Sequence, residues 1–243
     1  MDIASSAPYE AFLVERRAQL LERIAQAAAR AGRSAEEVEL LAVSKTVGPE
    51  EVLQAYSVGY RSFGENRPQE LTRKLAALSQ LDEQPELTFD MIGNLQKNKI
   101  NQVLGNVRLI HSVSSPHLAE AISKRAEARE LTVPVLLEIN VSGEESKSGF
   151  APQEALAAAE DLVQLGGISV QGVMTMAPAN DPDAARRSFS GLRSLRDQLR
   201  VSTGLALNVL SCGMSDDFEI AVEEGSTVLR LGRIVFDQGY QIA

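Results

Sequence analysis

Apolar and polar positions follow two different periods along the chain. Residues 9–31 are rich in Ala, Arg, Gln and Glu, and they place Leu13, Leu20 and Ile24 on one face of a helix. A glycine follows this segment, as is common just beyond a helix end. Residues 38–44 then form the short apolar run VELLAVS, which is typical of a buried strand. The pattern therefore predicts a leading helix followed by a buried strand.

From that strand onward, apolar runs and helical patterns alternate. Further strands are predicted at residues 60–64, 88–92, 107–112, 133–141, 169–174, 205–210 and 227–231. Helices are predicted to begin near Pro49, Pro68, Leu95, Pro116, Pro152, Asp183 and Ser215. Mostly apolar strands that alternate with helices predict an α/β fold with a parallel sheet. The count of strands favours a closed (β/α)8 TIM barrel, although the alternation alone also fits an open doubly wound sheet.

Length and composition fit one globular domain. The chain has 243 residues, of which 44% are hydrophobic and 23% are charged, and no linker rich in Pro, Gly or Ser divides it. We therefore expect a single domain over residues 1–243. Within it, the leading helix is an addition in front of the barrel. Residues 1–8 are expected to be flexible.

The charge and the rare residue types exclude several classes of function. A formal net charge of −9 opposes binding to nucleic acid or to an anionic membrane. No apolar run approaches the roughly 20 residues of a membrane span, and the first residues lack the features of a signal peptide, so we expect a cytoplasmic protein. The chain has one cysteine, Cys212, and two histidines, His111 and His117. An internal disulfide is therefore impossible, the histidines are expected to be structural, and no metal site is expected.

Lys45 is the first candidate for chemistry. It directly follows the first predicted strand, so in a barrel its ammonium lies at the carboxyl mouth, next to apolar neighbours. We expect it to be partly desolvated, which increases the share of free amine that can condense with an aldehyde. Position alone leaves the alternative of a solvated lysine that merely ends a strand.

Two loops near the end of the chain form the second candidate. The segment GSTVLRLGR ends a strand at Arg230 and continues with Gly232 and Arg233. The preceding loop, LSCGMSDDF, contains Ser211 and Gly213 and offers Ser215 as the N-cap of a helix. In barrels the loops after the seventh and eighth strands commonly bind phosphate, so these loops predict an anion site. Two ordinary capped turns are the alternative.

Polar groups also follow other strands. Asn66 ends the second strand and could present its amide beside Lys45, or it could cap the next helix. The loop after the fifth strand is polar and is either a lid or a solvated turn. It contains Asn140, Ser142, Glu144, Glu145 and Lys147.

Taken together, seven motifs resemble the pyridoxal phosphate homeostasis protein family. They are VSKT, FGEN, IGNLQKNK, EINVSGEESKSGF, GVMTMAP, LSCGMSDDF and GSTVLRLG, and they run in order from about residue 41 to residue 236. The resemblance implies a fold-type III barrel, similar to the N-terminal domain of bacterial alanine racemase, that binds pyridoxal 5'-phosphate (PLP). It also implies that Lys45 holds the cofactor as a Schiff base, that Arg230 faces the pyridine nitrogen and that Asn66 lies near the ring. The implied phosphate contacts are Ser211, Gly213, Gly232 and the backbone of Arg233.

The sequence departs from the family pattern at four positions. Asp90 stands where His is common, Cys212 where Met is usual, Arg233 where a hydroxyl residue is usual and Asp237 where Gly is usual. The change at Arg233 predicts either weaker phosphate binding or a side-chain charge in place of the missing hydroxyl.

The resemblance also bears on catalysis. Because a guanidinium stays protonated, Arg230 should leave the pyridine nitrogen without a proton, which makes the ring a poorer electron sink. Racemases of this fold type carry a further β domain that supplies a tyrosine base, and this chain ends soon after its last predicted strand. We therefore expect a monomeric protein that buffers or delivers PLP with little or no turnover, with PLP-dependent apoenzymes as candidate partners.

Two other functions stay open at this point. One is a weak amino-acid racemase of the same fold type, with Lys45 as the base on one face of the substrate. The other is a Schiff-base aldolase in which Lys45 acts on a phosphorylated sugar that the anion loops bind.

Overall fold

Eight parallel strands close into a barrel in a computed structural model that describes residues 7–144 and 147–242. Each strand pairs with the next one along the chain, and β8 pairs with β1. The strands are β1 (Glu39–Val43), β2 (Ser62–Glu65), β3 (Thr88–Met91), β4 (Leu109–Val113), β5 (Val133–Glu138), β6 (Ile168–Met174), β7 (Val209–Ser211) and β8 (Val228–Leu231). The closed barrel predicted from the alternation is confirmed, and the open doubly wound sheet is excluded.

Helices cover the outside of the barrel. They are α1 (Ala7–Arg30), α2 (Pro49–Ser57), α3 (Pro68–Leu78), α4 (Ile100–Val103), α5 (Pro116–Glu127), α6 (Pro152–Val163), α7 (Pro182–Thr203), α8 (Phe218–Glu223) and α9 (Arg233–Phe236). Five of them begin with proline, whose fixed φ suits the first helical turn, where its missing N–H costs no hydrogen bond. None of the helices described is long and apolar enough to cross a membrane. Residues 1–6, which make up most of the segment expected to be flexible, lie outside the described residues. Glu145, from the polar loop after β5, lies outside them as well.

The last third of the chain departs most from the prediction. The seventh strand begins at Val209 instead of residue 205. Gly204 ends α7 in the left-handed conformation with φ 71°, and Leu207 also has a positive φ of 41°, so the residues between them form a loop. Helix α8 begins at Phe218 with Asp217 at its N-cap, not at Ser215.

Strand side chains divide between two cores. Alternate residues point outward and pack under the helices; among them are Phe63, Phe89, Val173, Leu210 and Leu229. A smaller cluster of Leu109, Leu136 and Met174, with Val209 against it, fills part of the barrel interior. The rest of the interior, toward the carboxyl mouth, contains polar side chains.

The leading helix α1 is tied to the segment that follows β8. The Arg16 guanidinium donates to the carbonyl oxygens of Ile234, at 2.7 Å, and Tyr240, at 3.1 Å. The Tyr9 hydroxyl donates to the carbonyl oxygen of Phe236 at 3.1 Å. Since Ile234 and Phe236 belong to α9, α1 holds in place the turn that carries part of the predicted anion site.

Candidate functional site

The parallel topology brings the predicted site residues to one end of the barrel. Lys45 follows β1, Asn66 follows β2, Gly213 follows β7, and Gly232 and Arg233 follow β8. In a closed parallel barrel, all of these positions lie at the carboxyl mouth. The strands β1 and β8 are neighbours, and Arg230 is the register partner of Leu41, four residues before Lys45. Lys45 and Arg230 therefore belong to adjacent strands of the same mouth.

Lys45 is exposed in this structure. The expectation that apolar neighbours would partly desolvate it is not met, because the residue lies in the turn after β1 and not inside the barrel. Its amine is accessible to a molecule that enters the mouth.

A buried ion pair lies beneath the turn that holds Lys45. The side chains of Lys74 and Glu65 have no exposed surface and pair with each other. Lys74 also donates to the carbonyl oxygen of Ser44 at 2.7 Å, and the Ser44 hydroxyl donates to Glu65 at 2.6 Å. The other carboxylate oxygen of Glu65 has no partner among the described atoms. This cluster fixes the backbone immediately before Lys45.

Sequence reasoning did not find Lys74. The spacing in the sequence did indicate that Lys74 is buried, because it lies on the same helical face as Leu71 and Leu78, which are both buried. A charged residue on an apolar helix face requires a buried partner.

Asn66 is half-buried at the end of β2. Its backbone lies directly against Gly93 in the turn after β3. A Cβ at Gly93 would lie 2.2 Å from the carbonyl oxygen of Asn66, so only glycine permits this approach. The close contact sets the position of Asn66 at the mouth.

Arg230 is a fixed cation inside the barrel, 5% exposed. Its Nη1 donates to the Ser211 hydroxyl at 2.6 Å, and its Nη2 donates to the carbonyl oxygen of Thr175 at 2.9 Å. Burial lowers the pKa of Arg230, while Cys212, Asp217 and Glu138 oppose that shift. A guanidinium nevertheless stays protonated in proteins.

Glu138 is the acidic group at the end of β5, and it is buried. Burial raises the pKa of Glu138, and the neighbouring charge of Arg230 opposes this shift. It therefore adds a buried carboxyl to the interior near Arg230.

The two serines of the LSCGMSDDF loop occupy different places. Ser211 is fully buried inside the barrel, where its hydroxyl contacts Arg230 and lies 3.0 Å from His111 Nδ1. The Ser215 hydroxyl instead accepts from the backbone N–H of Ile234 at 3.3 Å, at the first turn of α9. Ser215, taken as a helix cap from the sequence, is thus the hydroxyl beside Gly232 and Arg233. The alternation of side chains along β7 distinguishes the two serines. Ser211 is the last residue of β7 and lies on the inward face of the strand with Val209.

Arg233 points away from the barrel interior. Its side chain is 62% exposed and pairs with Asp216 at 2.6 Å. Its guanidinium also lies 5.5 Å from the centre of the Tyr240 ring, and the Tyr240 hydroxyl donates to Asp216. A replacing side-chain charge was one of the two alternatives predicted for Arg233, and in this structure that charge is engaged at the protein surface.

A network of buried polar side chains continues inward from Ser211. His111 Nε2 lies 3.0 Å from Asp90, and Asp90 accepts two hydrogen bonds from Arg108, at 3.0 and 2.6 Å. Burial raises the pKa of Asp90, but the bonds from His111 and Arg108 outweigh it and hold the pKa below the ordinary value. Burial lowers the pKa of His111. The pair therefore consists of a neutral imidazole and an ionised carboxylate.

The network gives a physical reason for the departure at Asp90. Asp90 and His111 both point into the barrel, and Arg108 at the start of β4 supplies the cation that a buried carboxylate needs. Sequence reasoning treated His111 as structural and Asp90 as an isolated departure, and it missed their pairing.

The loop after β5 is internally hydrogen-bonded. The Asn140 amide donates to the carbonyl oxygens of Glu144, at 2.9 Å, and Lys147, at 3.2 Å, and its oxygen accepts from the Gly143 N–H at 3.0 Å. This is an Asx-type turn rather than an extended segment. Within residues 7–144 and 147–242, no group of three or more His, Cys, Asp or Glu side chains could hold a metal ion.

The fold and the mouth define a class of protein. Residues 17–238 match the family described as "Alanine racemase, N-terminal domain". This match covers most of the chain and agrees with the closed barrel.

Three comparisons narrow the class. A pyridoxal phosphate homeostasis protein of Aquifex aeolicus is 43% identical over 92% of this chain and 97% of its own length. A solved structure of an unknown protein from Bifidobacterium adolescentis superposes with a TM-score of 0.88 at 42% identity, covering 97% of both chains. The structure of PipY from Synechococcus elongatus with PLP bound superposes with a TM-score of 0.80 at 32% identity, covering 92% of this chain and 99% of PipY. The chain belongs to the pyridoxal phosphate homeostasis protein family.

Proposed function

We propose that this protein binds PLP at the carboxyl mouth of its barrel and takes part in PLP homeostasis by buffering or delivering the cofactor. The observation that carries the proposal is that an accessible amine, Lys45, follows β1 at the same mouth where the neighbouring strand β8 holds a buried guanidinium, Arg230. Family membership and the PLP-bound structure of PipY support the choice of ligand.

Lys45 is the residue that holds the cofactor. Bound PLP supplies an aldehyde that condenses with an amine and a pyridine ring that withdraws electrons. Lys45 would hold the cofactor through this condensation, with the aldehyde oxygen lost as water. The exposed position of Lys45 supports this role because a free aldehyde must reach the amine from solvent.

Arg230 and Asn66 contact the ring in this proposal. The buried Arg230 would donate to the pyridine nitrogen and, because a guanidinium stays protonated, would leave that nitrogen without its own proton. A ring in this state stabilises negative charge poorly, which favours storage over turnover. Asn66, half-buried at the end of β2, would lie beside the ring.

The phosphate would bind where the loops after β7 and β8 meet. The Ser215 hydroxyl and the backbone N–H groups of Gly232 and Arg233 would hold it, at a position that commonly binds phosphate in barrels. Gly213 shapes the first loop, and Ser211 supports Arg230 from below. The hydroxyl of Ser215 thus supplies what the residue after Gly232 lacks.

Spectroscopy and chemical trapping test the proposal together. The protein incubated with PLP should show the visible band of a lysine-bound pyridoxal, and borohydride followed by peptide mass spectrometry should locate the adduct on Lys45. Lys45→Ala should lose both signals, whereas Lys97→Ala, at another exposed lysine after a strand, should keep them. An adduct found only on other lysines would contradict the proposal.

The alternatives are separated by two further measurements. Cofactor-dependent exchange of amino-acid α-protons in deuterated water would indicate a racemase. Borohydride trapping of a sugar phosphate without PLP would indicate an aldolase. A cytoplasmic location, a monomeric state and delivery to PLP-dependent apoenzymes remain predictions from the sequence.

A further inference from the structure

A continuous line of hydrogen bonds crosses the barrel interior, and we call it the interior network. It runs from Arg230 through Ser211, His111 and Asp90 to Arg108. The successive distances are 2.6 Å, 3.0 Å, 3.0 Å and 2.6 Å. The first four side chains are buried, and Arg108, at the start of β4, is 38% exposed. The network therefore connects the mouth of the barrel with its opposite end.

The direction of each hydrogen bond follows from the donors available. Arg230 can only donate, so the Ser211 oxygen accepts from it and the Ser211 hydrogen is left to donate to His111 Nδ1. Nδ1 must then be unprotonated, which places the proton of a neutral imidazole on Nε2. Nε2 donates in turn to the ionised Asp90. One arrangement of protons satisfies every group.

The other protonation states of His111 conflict with its neighbours. With the proton on Nδ1 alone, Nε2 would direct its lone pair at the Asp90 carboxylate. A doubly protonated ring would add a second cation to a fully buried site that already contains Arg230. Asp90 thus selects the Nε2 tautomer, and that tautomer orients the Ser211 hydroxyl.

We infer that Asp90, His111 and Ser211 are positioning residues that hold the Arg230 guanidinium in the orientation in which it faces the pyridine nitrogen. The inference rests on the proposed PLP site and adds three residues that do not themselves contact the ring nitrogen. Ser211 and the carbonyl oxygen of Thr175 occupy Nη1 and Nη2 of Arg230, so the guanidinium plane cannot rotate freely. The charged groups near Arg230 on other elements are Glu138 and Asp217.

The tautomer of His111 is tested without any cofactor. In protein labelled with ¹⁵N-histidine, long-range proton–nitrogen correlation should show His111 neutral and protonated on Nε2 at neutral pH. His117→Gln assigns the signals because the chain has only two histidines. Asp90→Asn should move the proton toward Nδ1, because the amide carries no charge and one of the two accepting oxygens of Asp90 becomes an NH2 donor. A proton on Nδ1, or on both nitrogens, in the unaltered protein would overturn the inference.

The effect on Arg230 is tested with bound PLP. Ser211→Ala should shift the pH midpoint of the visible band by about one unit and weaken PLP binding about tenfold, as expected for loss of a hydrogen bond to a charged group. Ser123→Ala is the matched control, because it also removes a buried hydroxyl but lies on α5, outside the barrel interior. Equal pH profiles for the two variants would overturn the inference.

The two experiments separate this inference from the proposed function. If the unaltered protein forms no band with PLP, the proposed function fails, and the link from Arg230 to the ring fails with it. If the band forms on Lys45 but does not respond to Ser211→Ala, the function stands and the positioning role is excluded.

Discussion

The ammonium of Lys74 and the carboxylate of Glu65 form an ion pair with no exposed surface, directly beneath the residue that precedes Lys45. Taking two charges out of water is costly, and only their mutual attraction and the added bonds to Ser44 offset that cost. The pair therefore makes the end of β1 sensitive to any change that leaves one charge alone.

Removing one member of this pair should destabilise the protein strongly. We expect Lys74→Met to lower the free energy of unfolding by about 3–5 kcal/mol, because Glu65 would remain buried without a charged partner. Adding Glu65→Leu to that variant should restore a large part of the loss. Urea denaturation measures both, and Arg73→Ala, which breaks an exposed pair on the same helix, should change little. An unchanged free energy of unfolding in Lys74→Met would contradict the contribution of the buried pair.

Acidification should weaken the fold first through His111. The pKa of His111 lies below its ordinary value of 6.5 in the folded protein, so the unfolded chain binds more protons as the pH falls below that value. The contribution of His111 to the free energy of unfolding is therefore present above about pH 6.5 and decreases as the pH falls below that value. Asp90 lowers the free energy of unfolding further at more acidic pH, below the ordinary aspartate pKa of 3.8, because its own pKa is lowered in the folded protein. Glu138 acts in the opposite direction, because a raised pKa favours the folded state as acid is added.

Urea denaturation between about pH 7.5 and pH 5, where histidine normally titrates, measures this dependence. His111→Asn should flatten the slope, and His117→Gln, at an exposed position, should preserve it. A slope that disappears only in His117→Gln would show that the wrong histidine had been assigned.

Gly213 should not tolerate a side chain. It has a φ of 96°, and a Cβ there would lie 2.6 Å from Ala221 Cβ and 2.8 Å from Leu229. We expect Gly213→Ala to cost about 3 kcal/mol or more, since strain of about 1–2 kcal/mol adds to a clash with the packed core. Gly204→Ala is the matched control: Gly204 also has a positive φ, but a Cβ there meets nothing within 4 Å, so only the backbone strain of about 1 kcal/mol should appear. Equal losses in thermal or urea unfolding would argue against the packing around Gly213.

Cys212 should be unreactive in the folded protein. It is fully buried, and burial raises the pKa of its thiol to about 12, so almost no thiolate is present at neutral pH. A chromogenic thiol reagent should therefore label it only after a denaturant is added. Fast labelling of the native protein would show that the loop after β7 opens readily.

The barrel was predictable because its signal is local and repeated. Each buried strand is a short apolar run, and proline marks the start of several helices, so most elements were placed within a few residues of their observed bounds. The seventh strand was misplaced because Leu207 is apolar but adopts a positive φ in a loop, and hydrophobicity does not report backbone conformation.

The sequence predicted that the candidate site residues meet at one mouth of the barrel. It predicted the contacts of their side chains less well. Chain order puts Lys45, Arg230 and the two late loops at one mouth, and the family resemblance assigns them a ligand. The roles of Ser211 and Ser215 depend on which face of a strand or turn each occupies. The pairs Lys74–Glu65 and Asp90–His111 join residues from different elements, and no single-sequence spacing specifies such contacts.

The contact between α1 and α9 also has a consequence for how the protein folds. Arg16 and Ile234 are 218 residues apart in sequence, so the loop that their hydrogen bond closes includes the whole barrel. Contacts of such high sequence separation form slowly, and this one can form only after Ile234, which follows β8, has been synthesised. During translation, the turn between β8 and α9, at which we propose that phosphate binds, is thus among the last parts to become ordered. Under the proposed function, an incomplete chain would therefore present Lys45 without the turn for the other end of the cofactor.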